Sequence, residues 1–312
     1  MESAGSTQST QQHAALLVAC LVVVWGCNWP INKVVLNHIP PLWFACLRVG
    51  MGGLTFFVVQ AFGTRGIRLP ARSDWAVVIS IGLFQVAAVM GLVQLGLANV
   101  SAGRSAILSY TTPLWVLPGS IMILGERPRL IKLIGLLLGI IGVVVMFSPL
   151  SFNWRDRSAL IGNLYLMAAA ALWAGAIIHV RAHRWSDTPW ALAPWQMFVG
   201  LGPLVALAWL VEGRPPMPHP SLETVVLLVY SGPLITAFPF WALITVSKNL
   251  PALTTSLTLL LVPVIGLLSS VLFLSEQVDV SLIVGLILIV GAVALVNLAD
   301  ADKAEGRSLM VE

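Results

Sequence analysis

The residues of this chain with the clearest chemical signal are polar and aromatic groups set inside long apolar runs. The sharpest example is the segment WGCNWP at 25–30, where Pro30 cannot donate a hydrogen bond to the carbonyl group of Gly26. In a bilayer, a loosened backbone beside the amide of Asn28 is tolerated only against protein or a wet cavity. We therefore predict a kinked helix on which Trp25 and Asn28 face a substrate. The alternative is a packing kink in which Asn28 caps the freed carbonyl group.

Further amides and rings lie in other apolar runs and are expected to point inward, because an unpaired polar group in hydrocarbon is costly. The other candidate substrate-binding residues are Gln85, Met90, Gln94, Tyr110, Trp173, His179, Tyr230, Phe238 and Trp241. For the aromatic residues the alternative is an interfacial or lipid-facing position. His179 could carry a proton during transport. The alternative is a histidine at the membrane interface whose hydrogen bonds are satisfied.

Two further prolines interrupt apolar runs. Pro113 and Pro263 deprive the carbonyl groups of Ser109 and Leu259 of their helical donors. With Pro30 they are the predicted hinges of a rocking motion. The alternative is that the kinks only fit the helices around a bundle.

Charged side chains are scarce in the apolar runs, and no Asp or Glu lies in the middle of one. The absence of a buried acid disfavours ion coupling through such a group, and it also disfavours a cationic substrate. A facilitator and a carrier coupled through His179 both remain possible. A phosphate or nucleotide-sugar substrate would require a central cationic cluster, which is absent. Glu126 and Glu276 end two apolar runs, and we expect them to pair with Arg127 or other loop cations. A small zwitterionic or neutral solute fits this pattern best.

No motif for a catalytic nucleophile, a metal or a phosphate-binding loop is present, so the sequence predicts neither an enzyme nor a bound metal or cofactor. An intramembrane enzyme would need such a set at mid-depth. The small-residue pair Gly135 and Gly139 indicates close helix packing or a dimer seam. We expect a monomer or weak dimer.

The composition places these residues in a membrane. Hydrophobic residues make up 58% of the 312 residues and charged residues 10%, with a mean hydropathy of +0.92. A soluble domain carries about 25% charged residues. The formal charge of +4 comes from cations scattered between apolar runs, which is typical of membrane-flanking residues and not of a nucleic-acid interface.

Dividing the chain at charges, prolines and polar clusters predicts ten transmembrane helices, because a bilayer core needs about 20 apolar residues per helix. They are 14–36, 41–62, 75–97, 102–124, 130–147, 159–180, 189–211, 222–246, 252–274 and 280–298. Residues 1–13 are predicted to be a disordered cytoplasmic N-terminus, 148–158 a connecting loop and 299–312 a cytoplasmic tail.

Loop cations favour cytoplasmic termini. In that orientation eleven cations face inward and five outward. The inner ones are Arg65, Arg68, Arg72, Arg127, Arg129, Lys132, Arg181, Arg184, Lys248, Lys303 and Arg307, and the outer ones are Lys33, Arg104, Arg155, Arg157 and Arg214.

The chain also repeats itself. At an offset of 148 residues Trp25 matches Trp173 and Pro41 matches Pro189, and beyond the loop near residue 63 the offset becomes 150. There Pro113 matches Pro263 and Glu126 matches Glu276, and both halves, 14–147 and 159–298, contain five predicted helices. Because five is an odd number, the second copy enters the membrane from the opposite face and has the inverted orientation. The sequence therefore predicts an all-α membrane protein built from two inverted-topology repeats, an architecture of alternating-access transporters.

Several motifs resemble those of the EamA family of the drug/metabolite transporter superfamily. They are the WGCN sequence at 25–28 and the proline-containing fourth helix ending in LGERP at 124–128, matched by FLSEQ at 273–277. Within that family the chain is most similar to bacterial inner-membrane amino-acid exporters of the YddG type. The resemblance implies export of aromatic or other hydrophobic amino acids through a cavity bounded by helices 1, 3, 4, 6, 8 and 9. A nucleotide-sugar or triose-phosphate carrier of the same superfamily is the alternative.

Overall fold

A computed structural model describes residues 2–63, 66–125, 128–147, 153–183, 186–215, 221–235, 238–239, 242 and 258–308. Within these ranges the regular structure is helical, without strands. The helices are α1 (Glu2–Val35), α2 (Pro41–Ala61), α3 (Arg72–Asn99), α4 (Ala102–Leu124), α5 (Leu130–Met146), α6 (Arg157–Ala182), α7 (Pro189–Glu212), α8 (Leu222–Leu234), α9 (Leu261–Leu274) and α10 (Val280–Ser308).

Most of these helices have the length and composition of membrane spans. Seven described helices are long and apolar enough to cross a bilayer, and α5, α8 and α9 are shorter apolar helices. The predicted spans 222–246 and 252–274 extend into residues outside the described ranges. The chain is thus a multi-pass membrane protein.

The two terminal helices extend beyond their apolar runs. The sequence predicts disorder for 1–13 and a tail for 299–312, whereas the backbone is helical from Glu2 and as far as Ser308. Adding residues to an existing helix requires no new nucleus. The long apolar helices therefore continue into polar sequence.

Counterpart helices of the two halves run antiparallel to each other. In the pair α2 and α7, Gln60 at the end of α2 donates to the carbonyl oxygen of Trp190 at the start of α7 (2.7 Å). In the pair α5 and α10, Gly135 packs against Ala292, and Gly142, seven residues further along, packs against Gly285. The helices of these two pairs oppose each other, which is the arrangement expected if the second half is an inverted copy of the first.

The inversion extends to single contacts. In α3, a Cβ atom placed on Gly82 would lie 2.8 Å from the backbone oxygen of Gln196 on α7. In α8, a Cβ atom placed on the matched Gly232 would lie 2.8 Å from Met51 and 3.6 Å from the backbone oxygen of Arg48 on α2. Arg48 and Gln196 are matched at the offset of 148. Both glycines lie in π-helical segments, Ile81–Val89 and Tyr230–Leu234.

The prolines affect their helices in different ways. In α4 the α-helical backbone is interrupted at Tyr110 and Thr111, just before Pro113. The carbonyl group of Ser109, which Pro113 leaves without a backbone donor, accepts a hydrogen bond from the hydroxyl of Thr112 (3.0 Å).

The matched helix is interrupted at the equivalent place, because α9 begins at Leu261 after a turn at Leu260, and Leu260 is three residues before Pro263. Helix α1 continues through Pro30 without a break. Kinks therefore occur at the predicted places in α4 and α9, and their use as hinges stays a prediction.

Helix α5 uses its small residues within the chain. Gly135 and Gly142 face α10, and a Cβ atom on Gly139 would overlap the side chain of Leu114 on α4. This face is therefore covered by the protein's own helices and serves close packing rather than a dimer seam.

Candidate substrate-binding site

One face of the bundle is closed by charged side chains that bind helix ends. We call it the capped face. The carboxylate of Glu276 accepts from the backbone N–H groups of Ala102 (2.6 Å) and Gly103 (3.0 Å) at the start of α4. The carboxylate of Glu212 accepts in the same way from Leu42 (2.8 Å) and Trp43 (3.0 Å) at the start of α2.

A cation completes this closure. The ammonium group of Lys33 donates to three carbonyl oxygens at the end of α3, between Leu97 and Val100, at 2.5 to 3.2 Å. The capped face thus joins the ends of α1, α3, α7 and α9 to the starts of α2 and α4. Anions at helix starts and cations at helix ends also complement the helix dipole.

Glu276 binds backbone N–H groups of the other half, which the sequence-based prediction of a cation partner did not include. The loop cation Lys33 lies close enough to interact electrostatically with the same carboxylate. The first N–H groups of a helix lack partners within the helix, and their hydrogen bonds to a carboxylate are stronger than those to a neutral acceptor. Glu126 and Arg127 lie outside the described residues.

Replacing Glu276 by Ala should destabilise the protein by about 2 kcal/mol, because it leaves two N–H groups of α4 without an acceptor. Glu276→Gln should retain part of the effect, since its amide oxygen still accepts. Thermal unfolding in detergent measures both. The control is Glu223→Ala, an exposed acid in the first turn of α8. Equal unfolding temperatures for Glu276→Ala and Glu223→Ala would contradict the assignment.

Beneath the capped face, several buried polar atoms have no hydrogen-bond partner. Within the described part of the chain they are the amide oxygen of Asn28, the amide nitrogen of Asn32, both amide atoms of Gln94 and the hydroxyl of Ser109. Gln94 is completely buried. Because an unpaired buried polar group costs about 1–3 kcal/mol, these atoms are candidates for contact with a substrate.

These atoms lie at similar depths on three neighbouring helices. Asn28 and Asn32 are seven and three residues before the end of α1, and Gln94 is five residues before the end of α3. Ser109 is seven residues into α4. At 1.5 Å per residue they all lie roughly 5–10 Å below the capped face. The helices α1, α3 and α4 contact one another, so this set of residues forms one layer.

Aromatic side chains adjoin this layer. Trp25 on α1 and Tyr110 on α4 both pack in a cluster with Val262 and Ile265 of α9. Tyr110 directly follows Ser109 at the interruption of α4. The structure thus brings the predicted residues Trp25, Asn28 and Tyr110 to the junction of the two halves.

Helix α8 closes over α1 through two hydrogen bonds. The hydroxyl of Tyr230 donates to the carbonyl oxygen of Val24 (2.7 Å), and the hydroxyl of Ser231 donates to the amide oxygen of Asn32 (3.1 Å). Tyr230 is a predicted site residue, and its hydroxyl group is hydrogen-bonded to the protein's own backbone.

Met90 lies in a different part of the bundle from this cluster. Met90 packs in the apolar core between α2, α3 and α7. Gln85 is half-buried in the π-helical segment of α3. Trp173 is 37% exposed on α6. Phe238 is half-buried, and Trp241 lies outside the described residues.

His179 lies in the opposite half of the bundle, on a groove between α3 and α6 of about 300 Å³. Its ring stacks on that of His183, with centroids 6.4 Å apart. The ring nitrogen Nε2 of His183 lies 3.1 Å from the carboxylate of Asp74 at the start of α3. Asp74 also accepts from the backbone N–H groups of Ser186 and Asp187 (3.1 and 3.0 Å), which fixes the loop between α6 and α7.

Sequence reasoning missed Asn32, Ser109 and Ser231 as site residues. Asn32 carried a usable signal, because it is four residues after Asn28 and residues at that spacing share one helix face. Ser109 had been noted only for its carbonyl group. Ser231 carried no signal of its own, since a serine satisfies its hydroxyl within almost any helix.

Comparisons with known proteins agree with this architecture. The model of the EamA-like transporter family matches the chain twice, at residues 12–148 and 160–298. The two matches coincide with the two halves found from the repeat. The relatives named below are transporters or efflux pumps rather than enzymes.

The chain is 29% identical to the uncharacterized transporter YvbV of Bacillus subtilis (strain 168), covering 95% of this chain and 96% of that one. It is 26% identical to a probable amino-acid metabolite efflux pump of Escherichia coli (strain K12), covering 88% and 91%. One crystal structure shares the fold, with a TM-score of 0.62 at 21% identity over 92% of this chain and 97% of that chain.

Proposed function

Because the chain belongs to the EamA-like transporter family, we propose that this membrane transporter exports small neutral or zwitterionic metabolites, with aromatic and other hydrophobic amino acids as the preferred class. The observation that carries the proposal is the layer of unpartnered amide and hydroxyl groups on α1, α3 and α4 beside Trp25 and Tyr110. Amides and hydroxyls suit the ammonium and carboxylate groups of an amino acid, and the aromatic rings suit its side chain. The relative of Escherichia coli, a probable amino-acid metabolite efflux pump, supports a substrate related to amino acids.

The transport cycle is alternating access between the two inverted halves. Ten membrane spans, with both termini in the cytoplasm of the inner membrane, fit the distribution of loop cations. In that orientation the capped face is the outer face. The interruptions in α4 and α9 before Pro113 and Pro263 provide hinges at matched depths.

Transport is uncoupled from protons in this proposal. A relay or ion-binding carboxylate in the middle of a span is the usual requirement for coupling, and the apolar runs of the sequence contain none. The described acids Asp74, Glu212 and Glu276 all lie at helix ends, where they bind backbone N–H groups.

The test is flux in liposomes that contain the purified protein. We expect labelled L-phenylalanine and L-leucine to move down their gradients at the same rate with and without an imposed pH difference. A labelled nucleotide sugar should not move, because the apolar runs contain no cluster of cations in their middle to bind its phosphates. Strict dependence on a proton gradient would contradict the uncoupled cycle, and flux of the nucleotide sugar alone would contradict the substrate class.

A further inference from the structure

In the repeat, α3 corresponds to α8 and α6 corresponds to α1. The groove between α3 and α6 is therefore the counterpart of the contact between α8 and α1. Ser80 and Leu172 on the groove correspond to Tyr230 and Val24 in that contact, by the offsets of 150 and 148. The same place in the inverted architecture is therefore seen twice in one molecule.

The two places differ in state. Between α1 and α8, the hydroxyl of Tyr230 donates to the carbonyl oxygen of Val24 and closes the contact. Between α3 and α6, the hydroxyl of Ser80 donates to Val77 of its own helix (3.2 Å) and a space remains. An alternating carrier requires one such place to be closed while its counterpart is open.

The open groove has room for a small molecule. Its volume of about 300 Å³ lies at the lower end of the range for ligand pockets. The groove is lined by Ser80, Ile81, Phe84, Ala171, Leu172, Gly175, Ala176 and His179. Apart from the hydroxyl and the imidazole ring, these side chains are apolar. Ala171 lies eleven residues before the end of α6, so the groove reaches roughly 17 Å inward, to mid-bilayer.

We propose that this groove is the loading site of the transporter, which takes a neutral amino acid with an apolar side chain before it reaches the layer of Asn28 and Gln94. The apolar side chain packs on Phe84 and Leu172, and the amino-acid head group lies at Ser80 and His179. When α1 and α8 separate, α3 closes on α6 and empties the groove. The inference rests on the proposed function and adds a second, earlier site to it.

Gly175 allows a direct test, because no atom lies within 4 Å of a Cβ atom placed on it. The Cβ atom of Gly175→Leu meets no neighbour, and its larger side chain takes up space in the groove. The matched control is Gly202→Leu, an exposed helical glycine of α7 that also has no neighbour within 4 Å. We expect L-phenylalanine flux in liposomes to fall by about tenfold or more in Gly175→Leu and to change by less than about twofold in Gly202→Leu.

A second measurement follows occupancy without flux. In Gly175→Cys, a maleimide should label the introduced thiol, and mass spectrometry distinguishes it from Cys20, Cys27 and Cys46, which can stay. Added L-phenylalanine should slow that labelling and leave the labelling of Gly202→Cys unchanged.

The possible outcomes separate the two proposals. If the wild type moves L-phenylalanine and Gly175→Leu does so equally fast, the loading site is wrong and the proposed function stands. If the wild type moves none of the amino acids tested, the proposed function fails. The loading site then stands only if L-phenylalanine slows the labelling of Gly175→Cys. If it does not slow the labelling, the loading site fails as well. Labelling that is blocked in liposomes but not in detergent would show that a lipid chain fills the groove, which also overturns the inference.

Discussion

Replacing Gly200 by Ala is expected to lower the unfolding temperature by roughly 5–10 °C and to reduce the yield of folded protein. A Cβ atom on Gly200 of α7 would overlap the backbone oxygen of Gly82 on α3 and lie 2.8 Å from Val86. A backbone oxygen within a helix cannot rotate away as a side chain can. The two helices must separate, which disturbs a core that also contains Val86 and Leu204.

Gly202→Ala is the matched control for this experiment. Gly202 lies on the same helix two residues later, and no atom lies within 4 Å of the position that the added methyl group would take. Since Ala favours a helix over Gly by up to about 1 kcal/mol, this variant should unfold at the wild-type temperature or slightly above it. Equal unfolding temperatures for the two variants would contradict the close approach of α3 and α7.

The second large effect is expected on transport and not on folding. In the double variant Asn28→Leu, Gln94→Met, flux of L-phenylalanine should fall by about 100-fold, because a site built to hydrogen-bond its substrate loses those bonds. The free energy of unfolding should stay constant or rise by about 1 kcal/mol, since the amide oxygen of Asn28 and both amide atoms of Gln94 lack protein partners. Flux and thermal unfolding are measured on the same preparations.

This combination separates binding from structure. If both amides only stabilise the fold, the double variant must lose stability, and its flux must fall in proportion to the folded fraction. Asn99→Leu is the control on α3, because Asn99 is exposed and donates to the carbonyl oxygen of Leu95 (2.9 Å). Its transport should match that of the wild type.

The features of the fold that follow from local rules were predictable from the sequence. Pro113 removes the helical donor of Ser109, and the helix is interrupted at the following residue, Tyr110. The repeat predicts an equivalent interruption in α9, and the structure has a turn there at Leu260. The family assignment, the apolar spans and the inversion likewise follow from periodic and repeated sequence.

The features that depend on distant partners were not predictable. Ala102 and Glu276 meet across 174 residues, and nothing near Glu276 distinguishes a helix start from a loop cation as its partner. The π-helical segments of α3 and α8 have no residue signature either, since tertiary packing decides the hydrogen-bond register. For the site, the sequence suggested Asn28 and Gln94 as polar groups in hydrocarbon, but only the structure showed which of their atoms lack partners.

The second half supplies the carboxylates that bind two helix starts of the first half, and this has a consequence for biosynthesis. During translation, the start of α4 enters the membrane long before Glu276 is made, and the start of α2 waits in the same way for Glu212. The amino-terminal half therefore inserts with exposed N–H groups at two helix ends and cannot reach its final form alone. Two separately synthesised halves would need to meet in the bilayer to complete each other, as the subunits of a dimer do.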